Sequence, residues 1–175
     1  HKHWSPFEMA SATLEMETTR DIARQALRHR SFSFQEFSQR YANPQDMRNA
    51  FVTREARLQD TKNRQNSVEL DFNNPAHQIL ALQWEDTQKE VIETAKKAYD
   101  WAIENGIAKE QARAVLPEGL TVSRMYANGT IRSWIHYVEL RAANGTQKEH
   151  MDLARAVAEA IVKIFPMMDE FVNVE

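Results

Sequence analysis

The stretch ATLEMETTRDIARQALRHR, residues 12–30, switches its apolar period from that of a strand to that of a helix. Apolar and polar residues alternate over residues 12–17, which predicts a strand with one buried face. Over residues 20–30 the apolar side chains recur at helical spacing, and Thr18 and Thr19 offer an N-cap. The sequence therefore predicts a strand that leads directly into a helix with a cationic C-terminal end.

The order of the elements beyond residue 30 indicates the fold class. An extended segment is expected over residues 31–41, followed by a polar excursion over residues 42–74 with short strands near Phe51 and over residues 68–72. A long helix is then predicted from Pro75 to a stop at Asn105-Gly106, followed by a short helix over residues 109–115. A strand over residues 120–127 is predicted to enter an Asn128-Gly129 turn. The last two predicted elements are a helix over residues 131–140 and a helix with an apolar face from Leu153 to Phe165. Strands early and helices late, with few parallel crossovers, favour a single α+β domain over residues 1–175.

Composition excludes several kinds of chemistry. The chain has 0 Cys, so it has no disulfide, no thiolate metal ligand and no cysteine nucleophile. A net charge of −3 argues against a protein that wraps nucleic acid, and no apolar run reaches the roughly 18 to 20 residues of a membrane span. The His1-Lys2-His3 pattern has no third ligand nearby, so we predict no metal site. We expect a cytoplasmic protein that binds neither nucleic acid nor membrane.

The densest polar stretch flanked by apolar residues covers residues 25–41. Gln25 lies one helical turn before Arg28 and His29, so these three side chains can face one ligand. In the extended part, three polar side chains at alternate positions are expected on one face: Glu36, Ser38 and Arg40. Arginine suits phosphate, whereas Ser, Gln and Glu suit the edges of a base or sugar. The alternative is a helix end decorated with cations and followed by a solvated loop, which periodicity alone favours.

A second polar cluster lies on the helix predicted over residues 131–140. Arg132 and His136 are four residues apart and therefore share a face, and Arg141 stands at the helix end. The alternative is an amphipathic helix with an exposed basic edge. The sequence contains no Gly-x-Gly-x-x-Gly and no Walker loop, so a bound nucleotide would not be held in a Rossmann or P-loop manner.

Arg28-His29-Arg30, followed by seven residues and then Ser38, resembles the signature of the flavin-dependent thymidylate synthases. The wider pattern around this signature also matches, with Ser33, Glu36, Arg40 and Tyr41 in place. Four further stretches resemble the same family in the same order: residues 3–8, residues 112–117, residues 132–136, and Leu140-Arg141 with Gln147 and Glu149 after it. The resemblance extends from His1 to about Phe165.

The resemblance implies an enzyme that makes dTMP from dUMP, with methylenetetrahydrofolate as the one-carbon donor and FAD, reduced by NADPH, as the reductant. It also implies a homotetramer of α+β subunits, in which a mostly antiparallel sheet packs against long helices and each active site is shared between subunits. The family has a strand before the position of His1, which we expect to be missing from this sequence.

The resemblance also implies roles for individual residues. The FAD contacts would be Ser5, Arg28, His29, Arg30, Glu36, Thr130, Arg132 and His136. The dUMP contacts would be Gln25, Arg28, Glu36, Ser38, Gln39, Arg40, Arg113 and Arg141. Arg141 would be catalytic, because it resembles the arginine that stabilises negative charge on the uracil ring, and His3 and Glu8 would lie on the folate side.

Two other functions remain open at this stage. Thr130 and Gly145 replace residues that are common in the family, Asn and His, which allows a flavin- or nucleotide-binding module without turnover. The basic and aromatic residues between Arg28 and Arg40 allow an RNA-binding domain, although the net negative charge argues against it. The absence of cysteine excludes the unrelated thymidylate synthase that attacks dUMP with a thiol.

Overall fold

A computed structural model of the chain describes residues 3–43, 50–143 and 145–170. Its strands are β1 (Ser11–Thr19), β2 (Ser33–Glu36), β3 (Arg57–Gln59), β4 (Ser67–Glu69) and β5 (Val122–Thr130). Its helices are α1 (Arg20–Ala26), α2 (Pro75–Glu104), α3 (Lys109–Ala112), α4 (Ile131–Arg141) and α5 (Lys148–Ile164). Short 3-10 turns cover Ser5–Glu8, Arg113–Val115 and Pro166–Glu170.

Strand β5 is the middle strand of a three-stranded antiparallel sheet in the order β1-β5-β2. All nine residues of β1 oppose β5, from Ser11 opposite Thr130 to Thr19 opposite Val122. Strands β3 and β4 form a separate antiparallel hairpin. The sheet and the helices that follow it confirm the α+β class predicted from the order of elements.

The main core lies between the sheet and the last two helices. Met125 of β5, Trp134 and Ile135 of α4, and Ile161 of α5 are all buried in one apolar cluster. The indole Nε1 of Trp134 donates a hydrogen bond of 3.1 Å to the carbonyl of Ala12, so a buried polar atom also ties α4 to β1. This packing orients the helix that carries the second polar cluster of the sequence.

Several predicted elements are confirmed. Helix α2 begins after Asn74, whose side chain accepts a hydrogen bond of 3.0 Å from the amide of Ala76, and it ends at Glu104. The predicted strand near Phe51 is a single bridge to Thr121, and β4 lies close to the strand predicted over residues 68–72.

Within the described ranges, none of the helices has the length and apolarity needed to cross a bilayer.

The helix predicted to reach Arg30 ends at Ala26 instead. The amide of Arg28 bonds to the carbonyl of Gln25 at 3.3 Å, and the amide of His29 bonds to that of Ala26 at 3.0 Å. These i to i−3 bonds tighten the chain into a turn and end the α-helix. Arg28, His29 and Arg30 therefore lie on a turn between α1 and β2.

The prediction that Glu36, Ser38 and Arg40 share one face of a strand is wrong beyond Glu36, where β2 ends. The Ser38 hydroxyl accepts a hydrogen bond of 3.4 Å from the amide of Arg40. The backbone carbonyl of Ser38 accepts one of 3.2 Å from the amide of Tyr41. A serine that bonds nearby amides in this way favours a turn over an extended chain.

The predicted Asn128-Gly129 turn is also wrong, because both residues lie inside β5. Asn128 stands opposite Thr13 on one side and Ser33 on the other, and its side chain donates a hydrogen bond of 2.7 Å to the Thr13 hydroxyl. Gly129 is needed for space: a Cβ at this position would overlap the ring of Phe32. Close approach of an aromatic ring explains a glycine within a strand.

We expect Gly129→Ala to lower the free energy of unfolding by about 1–3 kcal/mol, because the added methyl group would push the Phe32 ring out of its packing. Gly119→Ala is the matched control, since its Cβ would meet Arg54 only at an ordinary contact distance of 3.8 Å. Urea unfolding of the two variants measures the difference. Equal stability of both variants would contradict the packing role of Gly129.

Candidate functional site

The C-terminal end of α4 brings Arg141 against His29, although the two residues are 112 positions apart in the chain. Arg141 Nε donates a hydrogen bond of 2.9 Å to His29 Nε2. A guanidinium group can only donate, so this ring nitrogen must be unprotonated. Burial, with the positive charge of Arg141 and a smaller effect of His136, lowers the pKa of His29 to about 4. His29 is therefore neutral at pH 7.

Gln25, a predicted dUMP contact, bonds to the residues at the start of α5. Its Nε2 donates a hydrogen bond of 2.9 Å to Gln147 Oε1, and its Oε1 lies 3.3 Å from His150 Nδ1. His150 is fully buried, and its Nε2 lies 3.0 Å from the hydroxyl of Tyr137. The Tyr137 ring in turn meets the His29 ring edge to face, with centroids 4.9 Å apart. The first group of the site, defined as Gln25, His29 and Arg141, is thus connected through the hydrogen bond between Arg141 and His29, and through His150 and Tyr137, which lie between Gln25 and the His29 ring.

A second group lies on α4 and the N-terminal 3-10 turn. Arg132 and His136 share an exposed face of α4, as their spacing predicts, and both line a cavity of about 440 Å³ with Trp4 and Glu8. Arg132 Nη1 forms an ion pair of 3.1 Å with Glu8 Oε1. The cavity therefore combines an aromatic wall with groups of both charges.

The other predicted flavin and folate residues lie near these two groups or at their borders. His3 and Ser5 are exposed and belong to the segment that carries Trp4 and Glu8, and Arg28 and Arg30 are exposed on the turn beside His29. The Thr130 hydroxyl accepts a hydrogen bond of 3.2 Å from the amide of Ser133 and so caps α4.

A third group forms around the end of β2. Glu36 Oε1 accepts a hydrogen bond of 2.7 Å from the Ser123 hydroxyl and forms an ion pair of 3.3 Å with Arg20 Nη1. Arg20 also contacts Glu118 at 3.4 Å, so the buried guanidinium lies between two carboxylates. These contacts fix Glu36 from β5 and α1 at the same time.

Two further predicted dUMP contacts, Arg40 and Arg113, both contact Glu110 of α3, and we count them with Glu36 in the third group. Arg40 Nη2 forms an ion pair of 3.1 Å with Glu110 Oε2, and Arg113 Nε donates a hydrogen bond of 3.3 Å to the Glu110 carbonyl. Gln39 is buried beside Arg40, and Ser38 starts the turn that carries them. Both guanidinium groups therefore contact Glu110, one at its carboxylate and one at its backbone carbonyl, and arginine is suited to binding a phosphate.

The chain thus gathers the predicted residues into three groups, each with contacts of its own. Their roles toward FAD, dUMP and folate remain predictions. Across the described ranges, no group of three His, Asp or Glu side chains is arranged to hold a metal ion. A larger cleft of about 570 Å³ lies between the β3–β4 hairpin, α2 and the start of α5, and Gln147, which lines it, bonds to Gln25 of the first group.

Sequence reasoning missed the side chains that support the site, among them Arg20, Glu110, Ser123, Tyr137 and His150. One signal was available for His150. It precedes Ala154 by four residues and Val157 by seven, and both are buried on α5, so a histidine interrupts an apolar stripe. The partners of Arg20 and Glu110 depend on distant segments, and no local pattern indicates them.

Comparison with known proteins gives consistent results. Residues 1–167 match the family described as thymidylate synthase complementing protein. The chain is 49% identical over 166 residues to a probable flavin-dependent thymidylate synthase of Paramecium bursaria Chlorella virus 1, with 95% of this chain and 73% of the relative covered. It is 48% identical over 164 residues to the flavin-dependent thymidylate synthase of Synechocystis sp., with 94% of this chain and 72% of the relative covered.

A solved structure is similar as well. The crystal structure of the UMP/dUMP methylase PolB from Streptomyces cacaoi, bound with 5-Br UMP, superimposes with a TM-score of 0.77 at 29% sequence identity. The match covers 93% of this chain and 72% of that one.

The buried histidine predicts how stability depends on pH. Burial, with smaller effects of Arg141 and His29, lowers the pKa of His150 from its ordinary value of 6.5 to about 4. The unfolded chain therefore binds more protons than the folded chain between these values, and the free energy of unfolding falls as the pH is lowered from 6.5 toward 4. We expect the buried His150 to contribute a slope of up to about 1.4 kcal/mol per pH unit.

Urea unfolding at pH 7, 6 and 5 and at one protein concentration measures this slope. His150→Asn removes the titrating group and should flatten the dependence. His29 contributes a smaller change of the same sign, because it is half-exposed, and this part should persist in the variant. Identical slopes for the wild type and His150→Asn would show that His150 does not titrate in this window.

Proposed function

The chain belongs to the thymidylate synthase complementing protein family, the flavin-dependent thymidylate synthases, and on this premise we propose that it converts dUMP to dTMP. C5 of the uracil exchanges its hydrogen for a methyl group, whose carbon comes from methylenetetrahydrofolate. FAD reduced by NADPH supplies the reducing electrons when it is bound. The observation that carries the proposal is the contact between His29 of the signature and Arg141 from the end of α4.

The charge state of this pair suits Arg141 to catalysis. The acceptor of its hydrogen bond is a neutral imidazole, so the full positive charge of the guanidinium remains available. C5 of uracil is a poor nucleophile, and a cation beside the ring carbonyl and N3 stabilises the anionic form from which C5 can attack. Stabilisation of a developing charge by a fixed group in a site poor in water is a large contribution to catalysis.

The residues of the first and second groups fit a flavin dinucleotide. The exposed arginines Arg28 and Arg30 flank His29, and Arg132 lines the 440 Å³ cavity beside Trp4. Arginines suit the pyrophosphate, and an aromatic wall suits a flat ring. We assign Ser5, Glu36, Thr130 and His136 to the same cofactor, and His3 and Glu8 to the folate side.

The third group fits the nucleotide substrate. The phosphate of dUMP carries nearly two negative charges; Arg40 already pairs with the carboxylate of Glu110, and Arg113 lies beside the same residue through its backbone carbonyl. We assign Ser38, Gln39 and the Glu36 carboxylate to polar contacts with the sugar and base, and Gln25 of α1 and Arg28 of the turn after it to the same substrate. We place the reaction in the cytoplasm.

We also propose that the enzyme is a homotetramer that builds each active site from several subunits. Two observations support this. The three groups have separate contacts within one chain, and α2 exposes large apolar side chains, among them Leu82 at 63% and Trp101 at 61% of their area. Exposed apolar surface of this kind is typical of protein interfaces.

The reaction is tested by the release of tritium from C5-labelled dUMP. The purified protein should be yellow and should release tritium only when NADPH and methylenetetrahydrofolate are both present. Arg141→Ala should lower kcat by about 10² to 10³-fold, since one charge-stabilising group is lost. Arg124→Ala, which breaks an exposed contact to Glu15 and Glu17 on β1, is the control and should change kcat by less than about twofold.

Tight binding of FAD and dUMP without tritium release would favour a binding module without turnover. Retained activity in Arg141→Ala would show that the catalytic assignment is wrong.

The shared site predicts complementation between inactive variants. Arg141→Ala removes the arginine of the first group, and Arg40→Ala removes an arginine of the third group. A homotetramer of either variant alone should therefore lose most of its activity. When the two chains are co-expressed, mixed tetramers should recover part of it, because some sites combine an intact Arg141 from one subunit with an intact Arg40 from another. Size-exclusion chromatography with light scattering checks the mass. No recovery in mixed tetramers of confirmed composition would place both residues of a site in one subunit.

A further inference from the structure

Five side chains form an unbroken hydrogen-bonded row from the half-buried carboxylate of Glu149 to the buried hydroxyl of Tyr137. In order, the contacts are 2.9 Å from Glu149 to Gln147, 2.9 Å from Gln147 to Gln25, 3.3 Å from Gln25 to His150 and 3.0 Å from His150 to Tyr137. The row joins α1, α4 and the start of α5. Of its members, only Gln25 belongs to the predicted substrate contacts.

The carboxylate at one end fixes the direction of every hydrogen bond in the row. An ionised Glu149 only accepts, so Gln147 must donate its Nε2 to it and accept with its Oε1. Gln25 must then donate its Nε2 to Gln147, which leaves Gln25 Oε1 facing His150 Nδ1. An acceptor oxygen requires a proton on that ring nitrogen, so His150 Nε2 is bare and accepts from the Tyr137 hydroxyl.

Burial keeps this arrangement unique. His150 and Tyr137 are at most 2% exposed, so water cannot replace a lost partner. Burial lowers the pKa of His150 to about 4 and raises the pKa of Tyr137 well above its ordinary value of 10, which keeps both side chains neutral around pH 7. If the Gln25 carboxamide turned over, its Oε1 would face Gln147 Oε1, and two acceptors would repel each other.

We propose that His150 is a positioning residue for substrate binding: through its Nδ1 proton it fixes the orientation of the Gln25 carboxamide, whose second N–H is thereby directed to dUMP. This inference rests on the proposed function, in which Gln25 contacts the nucleotide. Nothing in the row makes His150 itself touch the substrate, because it is buried behind Gln25 and Tyr137.

Two substitutions of His150 distinguish the role of its Nδ1 from the role of its Nε2. The side-chain amide of Asn reaches the place of the imidazole Nδ1, so His150→Asn retains the donor to Gln25 and loses the contact to Tyr137. The longer Gln side chain reaches the place of Nε2, so His150→Gln retains the contact to Tyr137 and loses the donor to Gln25. Both variants lose one buried hydrogen bond and are therefore matched in their structural damage.

The test is calorimetric titration of FAD-loaded enzyme with dUMP, together with kcat at saturating dUMP and the thermal midpoint. His150→Gln should raise the Kd of dUMP about tenfold, the loss expected for one hydrogen bond, and His150→Asn should stay within about threefold of wild type. In the Gln25→Ala background, His150→Gln should have no further effect on Kd, since it acts through Gln25. If His150 had only a structural role, both variants would raise the Kd of dUMP in proportion to the fall in their thermal midpoints. This result would overturn the proposal.

A third variant covers the case in which His150→Gln does not fold. Glu149→Gln, at the half-exposed end of the row, removes the obligatory acceptor and lets the amides turn over without touching Gln25 or His150. In an otherwise wild-type chain, Glu149→Gln should raise the Kd of dUMP by about twofold or more, and in the Gln25→Ala background it should leave the Kd unchanged. An unchanged Kd in both backgrounds would overturn the proposal. Wild-type enzyme that neither binds dUMP nor turns over would instead refute the proposed function itself.

Discussion

Strand β5 is hydrogen-bonded along both edges, and this double pairing determines where each part of the site can form. On one edge it opposes all of β1, and on the other its residues 125–128 oppose β2. Helix α4 begins at Ile131, directly after the strand, so the register of β5 also sets the start and rotation of the helix that carries Arg132 and Arg141. The same strand supplies Ser123 to Glu36. A shift of one residue would reverse the faces of β5 and separate these contacts.

How far the sequence predicts this arrangement depends on the range of the interactions involved. Helices α2 and α5 follow from their apolar periodicity, because burial of one face is a local pattern. Asn128-Gly129 suggests a turn by local propensity, but pairing with two strands and the space needed by Phe32 place it inside β5. The contact between Arg141 and His29 spans 112 positions, so only the family resemblance, and no spacing rule, brought both residues into one site.

The arginines of the site differ in what holds them. Arg20, Arg40 and Arg132 each form an ion pair with a carboxylate, whereas Arg141 donates to an uncharged histidine. A carboxylate partner offsets the field of an arginine at short range, and a neutral partner leaves it intact. These three arginines are therefore fixed by charge pairing, whereas Arg141 is oriented by a side chain that leaves its charge in place. That distinction follows from the low proton affinity of a half-buried histidine beside a permanent cation.

The exposed ion pair between Arg40 and Glu110 changes how substrate capture should be understood. An exposed pair of this type contributes only about 0–1 kcal/mol, so an incoming phosphate can displace the carboxylate at little cost. In the proposed reaction, dUMP therefore enters by exchanging one anion for another and does not have to neutralise a bare cation. Added salt weakens the pair that is broken as well as the pair that is formed. If Arg40 binds the substrate phosphate as we propose, its affinity for dUMP would depend less on ionic strength than that of an unpaired arginine.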